Sequence, residues 1–152
     1  MPADEKVRMP SSIISLPFWI PQSFSVVDGI ARVCETELVV EFEIQESMFR
    51  MGTKEVAIPF DEIESVVLKR GLLKNMLLFT TKRMHPASSI PRSRAGQFAL
   101  RVSREHTKKA KEVESLLAYE LARRDLRSMS ISRAPATPGS PGPQRPHIER
   151  SR

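Results

Sequence analysis

The chain has 152 residues, 40% of them hydrophobic, a single cysteine and a formal net charge of +6. This length favours one domain, the lone Cys34 excludes a disulfide framework, and no apolar run approaches the roughly 20 residues of a membrane span. The opening Met1–Glu5 is acidic where a secretory signal is basic, which indicates a cytoplasmic protein.

The charges are distributed unevenly along the chain. Residues 1–68 hold twelve acidic and five basic residues, whereas residues 69–104 hold nine basic residues and no acidic one. A segment of one sign favours an electrostatic partner surface, although attraction between two faces of one sheet would explain it as well.

The first 22 residues are predicted to be a flexible leader. They contain Pro10, Pro17 and Pro21 besides Pro2, and proline lacks the backbone donor that regular pairing needs. The alternative is that Leu16–Ile20, which carries the only tryptophan, docks on the domain or on a partner. Of these two, docking on the domain is favoured, because an isolated aromatic cluster rarely stays in water.

From residue 24 onward the pattern is typical of six or seven short strands, as in a small barrel or sandwich. Asp28-Gly29 is expected to form a turn and residues 46–53 a loop. In the clearest strand, Glu37–Ile44, a glutamate row faces outward, which indicates a solvated face rather than a metal site. Residues 82–95, rich in proline, serine and arginine, are predicted to form a long loop.

The last ordered elements are a strand and one long helix. Gln97–Val102 alternates with period two, Ser103 stands at the N-cap position, and an apolar stripe then continues toward Arg127. The stripe consists of Ala110, Val113, Leu116, Leu117 and Leu121. One amphipathic helix after many strands is expected to cover a sheet or close a barrel.

The segment 128–152 is predicted to be a disordered tail. It holds five prolines, four arginines and little apolar surface to bury. Pro135, Pro138 and Pro141 have the spacing of a polyproline ligand, but in a proline-rich tail such spacing also arises by chance.

The run Lys54–Val66, KEVAIPFDEIESV, resembles the middle strands of small pleckstrin-homology-like (PH-like) proteins, including the GRAM and bacterial PH-like groups. The resemblance covers residues 24–126. It implies a mainly β fold with one C-terminal helix: a bent antiparallel sheet or barrel of about seven strands, capped by the helix. The domain is accordingly placed at residues 23–127. The basic pattern by which some members bind phosphoinositides is not present in the first hairpin.

No residue grouping predicts a reaction. His85, His106 and His147 have no metal-ligand spacing, and the glycines form no phosphate-binding loop. We therefore assign no catalytic, metal-binding or cofactor-binding residue and expect no enzyme. An enzyme would need His85 or His106 beside a carboxylate in a cleft.

The sequence predicts a non-enzymatic PH-like interaction module that binds a protein partner or an anionic surface through its basic segment. The alternative is charge-driven binding of anionic phospholipid or nucleic acid. Nucleic acid is less favoured because Phe79 and Phe98, the aromatic residues of the basic segment, are expected in the core. The protein is placed in the cytoplasm, with peripheral attachment to a membrane as the alternative. The predicted binding residues are Lys69, Arg70, Lys74, Lys82, Arg83, Arg92 and Arg94.

Overall fold

A computed structural model of the chain describes residues 12–132. They form seven strands followed by one long helix. The strands are β1 (Ile14–Pro21), β2 (Val26–Val33), β3 (Glu37–Ser47), β4 (Arg50–Pro59), β5 (Ile63–Arg70), β6 (Asn75–Thr81) and β7 (Gln97–Val102), and the helix α1 is Thr107–Ser132. Short 3-10 turns lie at Phe60–Glu62, His85–Ala87 and Arg104–His106.

All neighbouring strands of the sheet are antiparallel, in the order β4-β3-β2-β1-β7-β6-β5. The outermost strands, β4 and β5, are not hydrogen-bonded to each other, so the sheet stays open. The predicted fold class is confirmed: the protein is mainly β, with a seven-stranded antiparallel sheet of PH-like layout and a single C-terminal helix over it.

The apolar stripe of α1 faces the sheet as its spacing predicts. Ala110, Val113 and Leu117 are completely buried, and Leu116 and Leu121 pack partly against the same core. These contacts fall mainly on β5, β1 and the turn Phe60–Glu62. Burial of one helical face is what holds a helix of this kind on its domain.

The long connection between β6 and β7 also belongs to the core. Ala87 and Ile90 are buried in it although the surrounding residues are polar. The buried hydroxyl of Thr81 lies 2.6 Å from the Arg83 carbonyl and 2.9 Å from the Gly96 carbonyl, so it joins the two ends of this loop. The predicted loop 82–95 is therefore packed rather than free.

The boundaries of the predicted leader and tail are wrong. Residues 14–21, assigned to the leader, form β1 in the middle of the sheet, with Leu16, Phe18 and Ile20 buried. Docking on the domain, the alternative for this segment, is what the structure shows. The helix continues past Arg127 to Ser132. Residues 1–11 and 133–152, including the polyproline spacing, lie outside the described residues.

Two predicted connections are also wrong. Asp28-Gly29 lies inside β2, and the turn is formed by residues 22–25, where the Gln22 N–H donates to the Ser25 carbonyl at 2.8 Å. Gly29 is required there because the Phe18 ring packs over it: a Cβ at this position would stand 2.4 Å from Phe18 Cζ. Residues 46–53 are a tight hairpin rather than a loop, since β3 extends to Ser47 and β4 starts at Arg50.

Candidate functional site

The structure divides the predicted basic residues among separate places on the sheet. Lys69 and Arg70 end β5 and Lys74 lies in the turn before β6, whereas Lys82 and Arg83 follow the other end of β6. Because β6 has seven residues, about 20 Å of strand separates these two groups. The predicted residues therefore do not form one continuous surface.

The first group surrounds a shallow cavity at the β5–β6 turn. Lys69, Arg70 and Lys74 line this cavity of about 230 Å³ together with Arg101 of β7. Arg101 lies opposite Met76, which in turn lies opposite Lys69. Arg101 was not among the predicted site residues. The period-two pattern of β7 predicts which face of the strand Arg101 lies on, but not which strand lies beside it. We call Lys69, Arg70, Lys74 and Arg101 the hairpin cluster.

The hairpin cluster keeps its positive charge. No ion pair joins any of its four side chains to a carboxylate within residues 12–132. Instead, Lys74 Nζ lies 5.9 Å from the ring centroid of Trp19, a cation–π geometry. Four cations from two strands and a turn thus line one cavity, and one of them lies over an aromatic ring.

Arg83 has a different environment, because Glu62 neutralises it. Its guanidinium donates to both carboxylate oxygens of Glu62, with Nε 3.0 Å from Oε2. The hydrogen bond from Arg83 lowers the pKa of the Glu62 carboxyl, and Lys82 adds a smaller electrostatic contribution. This pair ties the start of the β6–β7 loop to the turn Phe60–Glu62, so Arg83 contributes to the structure of the loop.

Arg92 and Arg94 lie near the connection between β1 and β2. Arg92 Nη1 donates to the Pro21 carbonyl at 3.0 Å and lines a shallow cavity of about 350 Å³ with residues 22–25. Arg94 pairs through its backbone with Gln97 at the start of β7, and its side chain is exposed.

Three connections lie on this side of the sheet. The β6–β7 loop reaches the β1–β2 turn through Arg92. The antiparallel register of β2 and β3 places the β3–β4 hairpin on the same side. We call residues 22–25, 47–51 and 82–96 the three-loop end. It corresponds to no single run of sequence, which is why the sequence did not predict it.

Large apolar side chains are exposed in all three loops. Phe24 is 103% exposed, Phe49 96% and Met48 84%, and Met84 is exposed in the third loop. Their exposure is unusual because Phe and Met are normally among the more buried residue types. Apolar tips and arginines therefore occur together at the three-loop end.

One backbone donor of the edge strand β5 is bonded to α1. The Glu114 carboxylate of α1 accepts a hydrogen bond from the Leu68 backbone N–H of β5. Since β5 is an edge strand, this contact uses a donor that an added peptide strand would otherwise take.

The histidines of the described residues stand apart. His85 is exposed in the 3-10 turn of the β6–β7 loop, and His106 lies 3.6 Å from its chain neighbour Glu105 just before α1. His147 lies outside the described residues. On β3, Glu41 pairs with Arg32, which also binds Glu55 of β4.

Within residues 12–132, no helix combines the length and the apolar character needed to cross a membrane. No protein-family model, no curated protein and no solved structure matches this chain.

Proposed function

We propose that this chain is a non-enzymatic PH-like interaction module that attaches to the surface of an anionic membrane through the three-loop end. The observation that carries the proposal is the exposure of Phe24, Met48 and Phe49 at loop tips that share one end of the sheet with Arg92 and Arg94. Apolar side chains beside cations match the two parts of a bilayer surface, the acyl boundary and the anionic headgroups.

The two kinds of side chain contribute in different ways. Each basic side chain near an anionic surface adds about 1 kcal/mol, and this contribution is screened by salt. The apolar tips gain from leaving water, about 0.8 kcal/mol per buried CH₂ group, and salt does not screen this gain. Binding is therefore expected to weaken with salt but not to vanish, unlike binding driven by charge alone.

The contact between Glu114 and Leu68 supports the proposal over peptide addition at that edge. A peptide strand would have to displace the carboxylate of Glu114 from Leu68 before its own backbone could pair with β5. Phe79 and Phe98, the aromatic residues of the predicted basic segment, are buried and stack on each other, with ring centroids 4.9 Å apart, so this pair offers no stacking surface to a nucleic acid base.

Vesicle flotation of the full chain tests the proposal. Phosphatidylcholine vesicles with and without phosphatidylserine are compared at about 0.1 M and about 1 M salt, where the Debye lengths are about 10 Å and about 3 Å. The variants are Phe24→Ser with Phe49→Ser, and Arg92→Glu with Arg94→Glu. The matched control is Lys69→Glu with Arg101→Glu, which removes the same kind of charge outside the three-loop end.

We expect the wild type and the control to float with phosphatidylserine vesicles. The arginine variant should lose the salt-sensitive part of this binding, and the phenylalanine variant should lose the part that persists at high salt. Thermal melting confirms that each variant is folded. If wild type does not float, or if the control loses binding as strongly as the arginine variant, the proposal is wrong.

A further inference from the structure

A second surface lies on the outer face of the sheet around the hairpin cluster. One row of register partners crosses four neighbouring strands. Lys69 of β5 lies opposite Met76 of β6, and Met76 lies opposite Arg101 of β7. Arg101 in turn lies opposite Trp19 of β1. Directly opposed residues in antiparallel strands point to the same side of the sheet. These four residues therefore form one row on the face away from the core.

The next row on this face is apolar. Val67, Leu78 and Ala99 are opposite one another on β5, β6 and β7, and Val67 is exposed while the other two are half-buried. This row carries no charge, whereas the first row starts with Lys69 and includes Arg101. The outer face thus presents an apolar strip along a cationic border.

Charge complementarity determines what this surface fits. The four cations of the hairpin cluster have no carboxylate partner within residues 12–132, and they surround the cavity of about 230 Å³. A carboxylate in this cavity would meet several cations at once, and a neighbouring apolar side chain would cover Met76 and Trp19. Charge-assisted hydrogen bonds of this kind are the stronger ones.

The undescribed ends of the chain do not have the matching charge. Residues 1–11 contain two acidic and two basic residues, and residues 133–152 contain four arginines and one glutamate. The glutamates on β3 and β4 of a second copy are a poor match too, because Arg32 already binds Glu41 and Glu55. An acidic segment of a different protein is the better fit.

We propose that the outer face around the hairpin cluster and Trp19 binds an acidic, partly apolar peptide segment of a partner protein. This inference does not depend on the proposed membrane attachment, because it uses none of the residues of the three-loop end. If both surfaces are used, the protein links a membrane to an acidic partner.

The single tryptophan makes the test direct. The full chain is titrated with the synthetic peptide Glu-Glu-Leu-Glu-Glu-Phe-Glu-Glu, which contains no tryptophan, so any change in tryptophan emission comes from Trp19. A labelled copy of the peptide gives the affinity by anisotropy. The matched peptide carries Gln in place of every Glu.

The site variant is Lys69→Glu with Arg101→Glu, and the control is Arg92→Glu with Arg94→Glu at the three-loop end. If the site variant does not fold, Lys69→Gln with Lys74→Gln replaces it. We expect the acidic peptide to change the emission of Trp19, and the site variant to bind it at least about tenfold more weakly. The Gln peptide should bind far more weakly than the acidic one, and the control should keep wild-type affinity.

Three results would overturn the inference: no binding of the acidic peptide, binding without any change at Trp19, or equal losses in the site variant and the control. Light scattering of the unliganded chain is the remaining measurement. A dimer that dissociates in the site variant would show that a second copy occupies this face, and would reject the peptide. Because vesicle flotation and peptide titration use each other's variants as controls, failure of one proposal can be told from failure of the other.

Discussion

The carboxylate of Glu114, in the first half of α1, accepts a hydrogen bond from the backbone N–H of Leu68 in the edge strand β5. The contact does two things at once. It holds the helix along the sheet, and it satisfies a strand donor that would otherwise face solvent or another chain.

Replacing Glu114 by Ala should therefore destabilise the domain by about 1.5–3 kcal/mol, the range for hydrogen bonds to charged groups. Urea denaturation followed by circular dichroism measures this change. Glu112→Ala, an exposed position on the same helix, is the control and should stay within about 0.5 kcal/mol of wild type. Equal losses in both variants would mean that helix propensity, not the Leu68 contact, explains the effect.

Replacing Gly29 by Ala should destabilise the protein by about 1–3 kcal/mol, as overpacking of a core does. The new methyl group would stand 2.3 Å from the Glu41 carbonyl oxygen and 2.4 Å from Phe18 Cζ, so backbone and ring must both shift. Thermal denaturation measures the loss. Asp28→Ala, the exposed neighbour, should melt close to wild type. A wild-type melting curve for the glycine variant would contradict the close approach of Phe18.

Replacing Leu117 by Asp should unfold the domain at room temperature. Leu117 is completely buried in the helix stripe, and an unpaired charge there costs several kcal/mol, a large part of the total stability of a small domain. Leu126→Asp is the matched control, because Leu126 is exposed on the same helix. Far-ultraviolet circular dichroism should show loss of structure in the first variant and none in the second.

The Glu62–Arg83 pair predicts a specific dependence of stability on pH. The pKa of Glu62 in the folded protein is lowered below its ordinary value of 4.5, with the hydrogen bond from Arg83 as the main cause. A carboxyl of this kind contributes stability above its unfolded pKa and loses it as pH falls through the folded value.

The stability difference between wild type and Glu62→Gln should accordingly be present at neutral pH and shrink as pH falls below about 4.5. Urea midpoints at several pH values measure it. Glu64→Gln, at an exposed position nearby, is the control for the loss of a carboxylate from this part of the surface. A constant gap at all pH values would indicate a contribution that does not depend on ionisation.

Cys34 should react slowly with thiol reagents in the folded protein. Burial raises the pKa of the thiol above its ordinary value of 9.0, with Glu37 as a second cause, and the side chain is 2% exposed. The reactive thiolate is therefore both rare and shielded near neutral pH. Reaction with a chromogenic disulfide should become fast in urea. Fast reaction in the native state would contradict the burial of Cys34.

The elements that the sequence predicted well carry their own periodic signal. Gln97–Val102 and the stripe of α1 follow the sequence pattern because one face of each is apolar and the other polar. The cap was predicted less well: the Ser103 hydroxyl bonds to Glu105, and a 3-10 turn precedes the helix. Local pattern therefore located the helix face but not the details of its first turn.

The prediction failed for β1 because its prolines obscure it. Pro17 and Pro21 are four residues apart, so their missing N–H groups face the same neighbouring strand. The ladder with β2 runs over eight residue pairs, whereas the ladder with β7 contains only Trp19 and Arg101. A proline is tolerated on the side of a strand that makes few backbone hydrogen bonds. The sequence alone does not show which neighbouring strand lies on that side.

The candidate surfaces were also only partly predictable, because they depend on contacts distant in sequence. The basic residues were identified by composition, but Arg101 joins Lys69 only through the register of three strands. Similarly, Phe24 and Phe49 reach one end of the sheet through two different hairpins. Neither grouping can be obtained from spacing along the chain.

The position of β1 in the strand order has a consequence for how the protein folds. The meander β1–β4 consists of neighbouring hairpins and can form while the ribosome is still making the rest of the chain. The pairing of Trp19 with Arg101, which joins β1 to β7, can form only after β7 has been made. It closes a loop of about 80 residues. Late closure of so long a loop slows folding. Until it happens, the apolar side of β1 remains open to chaperones or to a neighbouring nascent chain.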